Sequence, residues 1–206
     1  TQEAIEQAIT DGIAWLASTQ EPNGRWGGHF QMYTAETCFA LIKLQDRAFE
    51  LGYDSPFDPT YEYSDEILLG WEYVLHDSLP DPRTTMVPLS DQGSNDPDTN
   101  GNGYGVQFEN IWGGLTHYTT GVCMMAMAST GDPSRPNDGG LDFDGDLAAD
   151  TYGQLMQEAV DFLAFGQTDG PSGQGGWDYY PHNNEGGRAD NSVTGWVTLG
   201  LAAARN

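Results

Sequence analysis

One segment carries closely spaced side-chain oxygens with the residue types and spacing of calcium ligands. Residues 96–101 read Asp-Pro-Asp-Thr-Asn-Gly, which matches the first half of a calcium loop. In such loops, oxygens at positions one, three and five surround the ion, and glycine at position six makes the turn. Position twelve is Gln107 instead of the usual glutamate, unless Glu109 replaces it. The predicted ligands of this site are Asp96, Asp98, Asn100, Asn102 and Gln107.

A second segment carries a similar set of oxygens with a different glycine position. Aspartates alternate with other residues from position 142, but Gly145 stands at position four of the loop. The alternative for both segments is a solvated turn, in which Asp, Asn and Gly are common. For a second Ca²⁺ site, with metal–oxygen distances of about 2.3–2.6 Å, the predicted ligands are Asp142, Asp144, Asp146 and Asp150.

The chain is strongly acidic. Its 206 residues include 31 Asp and Glu against 7 Lys and Arg, a formal net charge of −24. A charge of this sign repels phosphate backbones and anionic lipid surfaces, so nucleic-acid binding is not expected. Membrane insertion is not expected either, because no apolar run is long enough to cross a bilayer. Two explanations of the acidity stay open, cation binding and solvation of the surface at high salt.

Aromatic side chains stand close to the beginnings of several apolar segments. Such rings line cavities for apolar or sugar-like ligands, and the alternative is that they pack the ends of helical layers. No catalytic residue is assigned, because the sequence has no nucleophile elbow, P-loop or dinucleotide motif. Paired carboxylates for glycoside chemistry stay open, since Asp and Glu are abundant. The candidate ligand-binding residues are Trp26, Tyr33, Trp112, Tyr118 and Trp177.

Hydrophobic periodicity predicts six helices. The first, third and fifth are apolar on one face, which is typical of surface helices, whereas the second, fourth and sixth are apolar on most faces, which is typical of buried helices. This alternation predicts an all-α fold with an outer set of helices around an inner set, and no segment shows the period-two pattern of a strand. The predicted helices span residues 2–18, 33–50, 64–77, 115–129, 151–167 and 190–204.

An internal repeat arranges these helices as three hairpins. Residues 15–26 contain Trp-Leu, then Gln20, then Gly-x-Trp, and residues 162–177 contain Phe-Leu, then Gln167, then Gly-Gly-Trp. A middle copy keeps only Ile-Trp-Gly-Gly at 111–114. A repeated helical hairpin is typical of a solenoid or a closed ring. The single predicted domain has repeats at about 1–52, 61–130 and 151–206, with acidic inserts at 79–113 and 131–150.

The two cysteines, Cys38 and Cys123, occupy matching positions in the first two repeats, inside apolar helices. A disulfide requires Cα atoms within about 7 Å, whereas the axes of packed helices are separated by about 8–10 Å. We therefore expect two buried free thiols that behave as small apolar side chains, with no bridge between them.

The repeated phrase resembles the QW motif of the terpenoid cyclase and prenyltransferase superfamily, best known from squalene–hopene cyclases. The resemblance implies an α/α toroid in which Gln20 stacks on Trp26, and Gln167 on Trp177, at turns from outer to inner helices. It covers the three hairpins, and residues 191–201 also look like the inner helix that follows such a motif. Three hairpins are about half of a complete ring in that family, so the resemblance implies a partial toroid.

The catalytic signatures of the family are poorly matched. Squalene–hopene cyclases protonate their substrate with an Asp-x-Asp-Asp motif, and the nearest segment here, at 96–99, has Thr99 in place of the last aspartate. The zinc set of prenyltransferases needs an aspartate two residues before a cysteine, which neither cysteine has. Resemblance of fold does not by itself carry function.

These observations predict a non-catalytic, calcium-stabilised, squalene-cyclase-like module for binding or assembly in a secreted or cell-surface protein. The alternative is an enzyme that acts on isoprenoid or carbohydrate substrates at the centre of the ring. A partial toroid leaves apolar flanks uncovered at its two ends, and such patches mark association sites. We expect self-association, or further repeats of a longer chain, to cover residues such as Ile5, Ile9, Val197 and Leu201.

Overall fold

The computed structural model describes residues 1–28, 31–75, 83–89, 98–110, 114–143, 149–181 and 188–205. The helices are α1 Gln2–Ser18, α2 Tyr33–Glu50, α3 Ser64–Leu75, α4 Thr116–Ala128, α5 Tyr152–Phe165 and α6 Asn191–Ala203. The strands are β1 Thr84–Pro88 and β2 Tyr104–Phe108. The six predicted helices are confirmed, and their ends differ from the predicted ends by at most two residues.

Side-chain caps determine where several helices begin. Thr1 accepts a hydrogen bond from the first turn of α1 at 3.3 Å, and Thr151 forms a reciprocal capping box with Gln154 at the start of α5. At the start of α6, Asp190 accepts from the backbone N–H of Val193 at 3.1 Å. These bonds satisfy backbone donors that have no partner inside the helix.

Helix α4 is the centre of the packing. It contacts α2, α5, α6 and β2, and α3 packs against α2. The α4–α6 contact is especially close, because a Cβ added to Gly121 would lie 2.7 Å from the backbone oxygen of Trp196. Only glycine permits that approach of two helix backbones. The large, fully buried side chains of the core include Leu41, Leu44, Ile67, Trp71, Leu75, Phe108, Met124, Met127, Leu155 and Phe162.

A buried amide joins three of the helices. Gln45 on α2 has no exposed surface. Its Nε2 donates to the backbone oxygen of Ala126 at 3.0 Å and to Ser129 Oγ at 2.6 Å, at the end of α4. Its Oε1 accepts from the indole N–H of Trp71 on α3 at 2.8 Å. All the hydrogen-bonding groups of this amide are therefore used within the core.

The first insert contains a small antiparallel sheet, so the prediction of a fold without strands is wrong. Thr84 pairs with Phe108, and Pro88 with Tyr104. Strand β2 lies on α5, where a Cβ added to Gly105 would be 2.8 Å from the backbone nitrogen of Phe162. The strands escaped the sequence analysis because each has only five residues, one with a proline and one with a glycine, too few side chains to show a clear alternation.

The burial of two helices differs from the prediction. As predicted, α2 and α4 are buried on most sides. Helix α6, predicted to be an inner helix, buries only Val193, Val197 and Gly200, because among the described helices and strands α4 alone packs broadly against it. Helix α5, predicted to lie on the surface, buries eight of its 14 residues, because β2 also packs against it.

Candidate functional site

Two of the predicted ligand-binding aromatic residues lie in the packing of the repeat. Trp26 is 3% exposed and Trp177 is 6% exposed. The indole N–H of Trp26 donates to the backbone oxygen of Leu16 at 2.8 Å, and that of Trp177 to Leu163 at 2.7 Å. Each ring thus joins the end of one helix to the turn before the next, which favours the packing role over ligand binding.

The glutamines of the repeat also have matching partners. The Nε2 of Gln20 donates to the backbone oxygen of Gly24 at 2.9 Å, and that of Gln167 to Gly175 at 3.0 Å. Gly24 and Gly175 have φ values of +88° and +82°, in the left-handed region that favours glycine. The glutamine and the tryptophan of each copy therefore both bond to the backbone around one tight turn. The stacking of each glutamine on its tryptophan, which the resemblance implies, stays a prediction.

A third turn has the same backbone hydrogen bond as the two tryptophan turns. In three places the backbone N–H of a buried aromatic residue donates to a threonine Oγ1 in the next helix at 3.0 Å: Trp26 to Thr37, Trp177 to Thr194 and Phe108 to Thr120. This shared bond aligns Phe108, at the end of β2, with Trp26. Trp112, the predicted counterpart, lies outside the described residues.

The other two described candidates, Tyr33 and Tyr118, are half-buried near the beginnings of α2 and α4. Burial and the nearby carboxylate of Glu36 raise the pKa of Tyr118. The guanidinium of Arg25 lies over the Tyr33 ring, 4.0 Å from its centre. Oε2 of Glu36 is buried, lies against Gly27, and has no hydrogen-bond partner among the described residues. An acidic group and a cation thus stand among aromatic rings at this end of the helices.

Aromatic side chains from three helices meet on one face of α4. The rings of Phe39 on α2 and Trp196 on α6 have centres 5.1 Å apart, and Tyr118 on α4 lies 6.0 Å from Trp196. Because α2 and α6 both pack on α4, the two rings must reach each other across its surface. We call the surface formed by Phe39, Tyr118 and Trp196 the aromatic face.

A cavity of about 310 Å³ lies between α5 and the two inserts, and its lining combines apolar side chains such as Met86, Val106 and Phe143 with polar ones. Its lining includes Asn100 and Asn102 from the first insert, Asp150 from the second, and Glu158 from α5. Glu158 is only 9% exposed. Its Oε1 accepts from the amides of Asn100 and Asn102 at 2.5 and 3.0 Å, and its Oε2 is buried with no hydrogen-bond partner among the described residues. We call this the acidic cavity.

Negative charge is concentrated around Glu158. Burial raises its pKa, and the charges of Asp161 and Asp98 act in the same direction, while the two asparagine amides oppose the shift. Asp161 is fully buried one turn further along α5 and accepts from the backbone N–H and hydroxyl of Thr99 at 3.2 and 2.5 Å. The first insert is therefore attached to α5 through two buried carboxylates.

The first predicted set of calcium ligands is only partly brought together. Asn100 and Asn102 line the acidic cavity. Asp98 accepts from two backbone N–H groups of its own turn, both at 2.8 Å. Gln107 is on β2, donates to Thr85 and Glu109, and is not among the lining residues of the cavity. Asp96 lies outside the described residues.

The second predicted set contributes one residue to the same cavity. Asp150 lines the acidic cavity and accepts from the backbone N–H of Phe143 at 2.7 Å. Asp142 is half-buried and is not among the lining residues. Asp144 and Asp146 lie outside the described residues. Members of the two segments, predicted as separate sites, therefore face one cavity.

The sequence analysis missed Glu158 and Asp161. Both lie in α5 among apolar residues, and their spacing of three places them on one helix face. This face was interpreted as solvent-exposed because α5 has an apolar stripe elsewhere. This face of α5 is buried instead by contacts such as that between Asn100 and Glu158, which are 58 positions apart in sequence. A local pattern of residues does not predict a contact between residues so distant in sequence.

An apolar groove of about 570 Å³ opens between α4, α5 and α6. Its lining includes Ile42, Met125, Met156, Val160 and Leu199. Methionine fills irregular apolar space and adapts to different partners. The groove lies beside the exposed side of α6, where Leu199 is 50% exposed.

The described residues limit the kinds of site in two ways. No group of three or more His, Cys, Asp and Glu side chains in the described ranges is arranged to hold a metal ion, so a cation in the acidic cavity would depend on amide oxygens as well. None of the described helices is long and apolar enough to cross a membrane.

Comparison with protein-family models, curated proteins and solved structures gave no match to the chain. The resemblance to squalene–hopene cyclases therefore stays a prediction, and it rests on the residues of the repeat.

Proposed function

We propose that this chain is a non-catalytic, calcium-stabilised partial α/α toroid, similar to squalene–hopene cyclases, that serves binding or assembly. The observation that carries the proposal is Glu158 in the acidic cavity. It is 9% exposed, and one of its carboxylate oxygens has no hydrogen-bond partner among the described residues. A buried carboxylate oxygen without a partner is costly, and a bound cation supplies that partner.

The order of helix contacts supports the toroid. Helices α2 and α6 both pack on α4, while α3 packs on α2 and α5 on α4. This is the order expected when an outer helix alternates with an inner helix along an arc. The meeting of Phe39 and Trp196 over α4 is what a curved row of inner helices produces on its concave side.

The chemistry of the acidic cavity supports Ca²⁺ as the cation. Calcium takes about six to eight oxygen ligands from carboxylates, amides, backbone carbonyls and water. Glu158 and Asp150 offer carboxylates. The Oδ1 atoms of Asn100 and Asn102 accept from the backbone N–H groups of Asn102 and Tyr104 at 3.1 and 2.8 Å, and each keeps a second lone pair for an ion. An ion held by these four residues would join both inserts to α5.

Thermal unfolding with excess Ca²⁺ or with a chelator, at fixed ionic strength, tests the proposal. An ion at about 100 times its dissociation constant stabilises the folded form by about 2.7 kcal/mol. For a chain of this size that raises Tm by about 5–10 °C. Glu158→Gln keeps the size of the side chain and removes its charge, so we expect the calcium-dependent shift to disappear in this variant.

Glu72→Gln is the matched control, because Glu72 is an exposed carboxylate on α3, and it should keep the full shift. Equal shifts in Glu158→Gln and the parent would place the ion elsewhere. If Ca²⁺ does not change the Tm of the parent, solvation at high salt is the better explanation of the net charge.

The proposed function includes a secreted or cell-surface location and an association with further copies or repeats. A secreted or surface location fits, since the weak calcium sites of extracellular modules bind in the range of about 0.1–1 mM. Self-association, or packing against further repeats, fits the exposure of Ile5, Ile9 and Leu199, which are 56%, 39% and 50% exposed.

A second candidate function is an enzyme that works at the aromatic face. Glu36 favours it, because a carboxyl group with one unpartnered buried oxygen beside aromatic rings suits general-acid chemistry. Incubation with squalene, a prenyl diphosphate or a soluble glucan, followed by product analysis, tests this. Turnover that falls by a factor of about 100 or more in Glu36→Gln, at unchanged Tm, would favour the enzyme. Absence of turnover in the parent favours the binding module.

A further inference from the structure

The two cysteines of the chain face each other in the middle of the core. Cys38 lies on α2 and Cys123 on α4, and neither has any exposed surface. Both are free thiols, and their Sγ atoms are 2.7 Å apart. Non-bonded heavy atoms pack at about 3.5–4.0 Å, so the two sulfur atoms are closer than ordinary packing contact.

The expectation of two buried free thiols is confirmed, but helix packing does not hold the two residues too far apart for a bridge. The distance of about 8–10 Å between packed helices is measured from axis to axis, whereas Cα atoms lie about 2.3 Å from the axis. Residues that face each other therefore have Cα atoms about 4.6 Å closer than the axes. Facing Cα atoms can therefore lie about 3.4–5.4 Å apart, which overlaps the lower part of the range of about 4.4–6.8 Å that disulfides span.

We propose that Cys38 and Cys123 form an intramolecular disulfide that joins α2 to α4. The thiolate of one cysteine attacks an external disulfide, such as oxidised glutathione or an oxidoreductase disulfide, and releases one thiol. The second cysteine then attacks the mixed disulfide and releases the other thiol. Two protein thiols are oxidised, the external disulfide is reduced to two thiols, and no other reactant is needed.

The burial of the pair determines when the bond forms. Burial and the hydrogen bond with Cys38 raise the pKa of Cys123, so little reactive thiolate is present in the folded chain. An oxidant in solution also cannot reach sulfur atoms with no exposed surface. The bond therefore forms before α2 and α4 close on each other, in a compartment that is oxidising during folding.

The bridge would fix the junction between the first two hairpins. Cys38 and Cys123 are 85 positions apart, so the closed loop includes α3 and the whole first insert. A cross-link of this length removes much of the conformational freedom of the unfolded chain. This inference does not depend on the calcium site or on the aromatic face.

The test is refolding of the full chain from denaturant, in a glutathione redox buffer or in dithiothreitol, followed by maleimide labelling in denaturant and mass spectrometry. We expect no labelled cysteine and a monomeric mass after oxidative refolding, and two labelled cysteines after refolding in dithiothreitol. The oxidised form should melt about 10 °C higher than the reduced form.

The variant with Cys38→Ala and Cys123→Ala together should have a Tm that is the same in both buffers. Two labelled cysteines after oxidative refolding would overturn the proposal, as would a bridge between chains. Equal Tm values for the two forms of the parent would overturn the stabilising role. Should the alanine variant not fold, the labelling of the parent still decides.

Discussion

At the scale of single residues, the chain uses the same aromatic–threonine bond at the turns that precede α2, α4 and α6. Trp26, Phe108 and Trp177 are all buried, and each donates its backbone N–H to a threonine hydroxyl at 3.0 Å. The bond satisfies a buried backbone donor, and the ring covers the apolar end of the hairpin. The aromatic residue is thus a structural feature of the repeat, and its identity can change from Trp to Phe.

We expect Trp26→Ala to cost about 3–5 kcal/mol in the free energy of unfolding, as for other large buried aromatic side chains. Trp15→Ala is the matched control, because Trp15 is 67% exposed on α1. It should change stability by no more than about 0.5 kcal/mol. Denaturant unfolding of both variants measures the difference, and equal midpoints would contradict the structural role of Trp26.

At the scale of elements, polar groups in the core determine how the helices meet. Gln45 joins α2, α3 and α4 through three hydrogen bonds, and Arg47 joins α2 to α1 through Glu6 and Thr10. Helix α1 depends strongly on such links, because Ala17 is its only buried residue. Apolar contacts alone would allow the helices to slide, whereas buried hydrogen bonds specify one register.

We predict that Gln45→Leu destabilises the chain by about 1–3 kcal/mol, although leucine is more apolar. The substitution leaves the buried indole N–H of Trp71 without its acceptor, whereas the backbone oxygen of Ala126 keeps the hydroxyl of Ser129 as a donor at 2.9 Å. Gln7→Leu, at an exposed position of α1, is the control and should have little effect. If Gln45→Leu and the parent unfold at the same denaturant concentration, the hydrogen bonds of Gln45 make no net contribution to the free energy of unfolding.

At the scale of the whole molecule, the two ends of the helical array are less covered than its middle. Helix α6 buries three residues, and α1 buries one. Of the flank residues named from the sequence, Ile5 and Ile9 are exposed, but Val197 is fully buried and Leu201 is half-buried. Leu199 is the exposed apolar residue of α6, at the rim of the apolar groove.

We expect the chain to self-associate at micromolar concentration through these ends, with an interface larger than about 1,000 Å². Light scattering should be measured in about 1 M salt, where the Debye length is about 3 Å and the net charge of −24 no longer keeps copies apart. Leu199→Glu places a charge at the rim of the groove and should shift the population to monomer.

Thr198→Glu, one residue away at an exposed polar position, adds the same charge outside the groove lining and should associate like the parent. If the parent chain is still monomeric at about 100 times the micromolar concentrations named above, the prediction of self-association is contradicted.

The sequence by itself determined the number, type and approximate ends of the helices, because apolar periodicity and capping residues act within a few positions of each other. It also predicted the first and last copies of the repeat, at residues 15–26 and 162–177, in which a buried tryptophan and a glutamine lie at the same turn. The bond from Phe108 to Thr120 was not predictable, since a threonine hydroxyl accepts a backbone N–H from any residue type.

Only the tertiary structure decided which polar residues meet. The acidic cavity joins Asn100 to Glu158 across 58 positions, and the thiol pair joins Cys38 to Cys123 across 85. The short sheet covers α5, while the end of the array leaves α6 uncovered, and both reverse the burial expected from helix periodicity. Periodicity reports what a helix can bury, whereas its neighbours in space determine what it does bury.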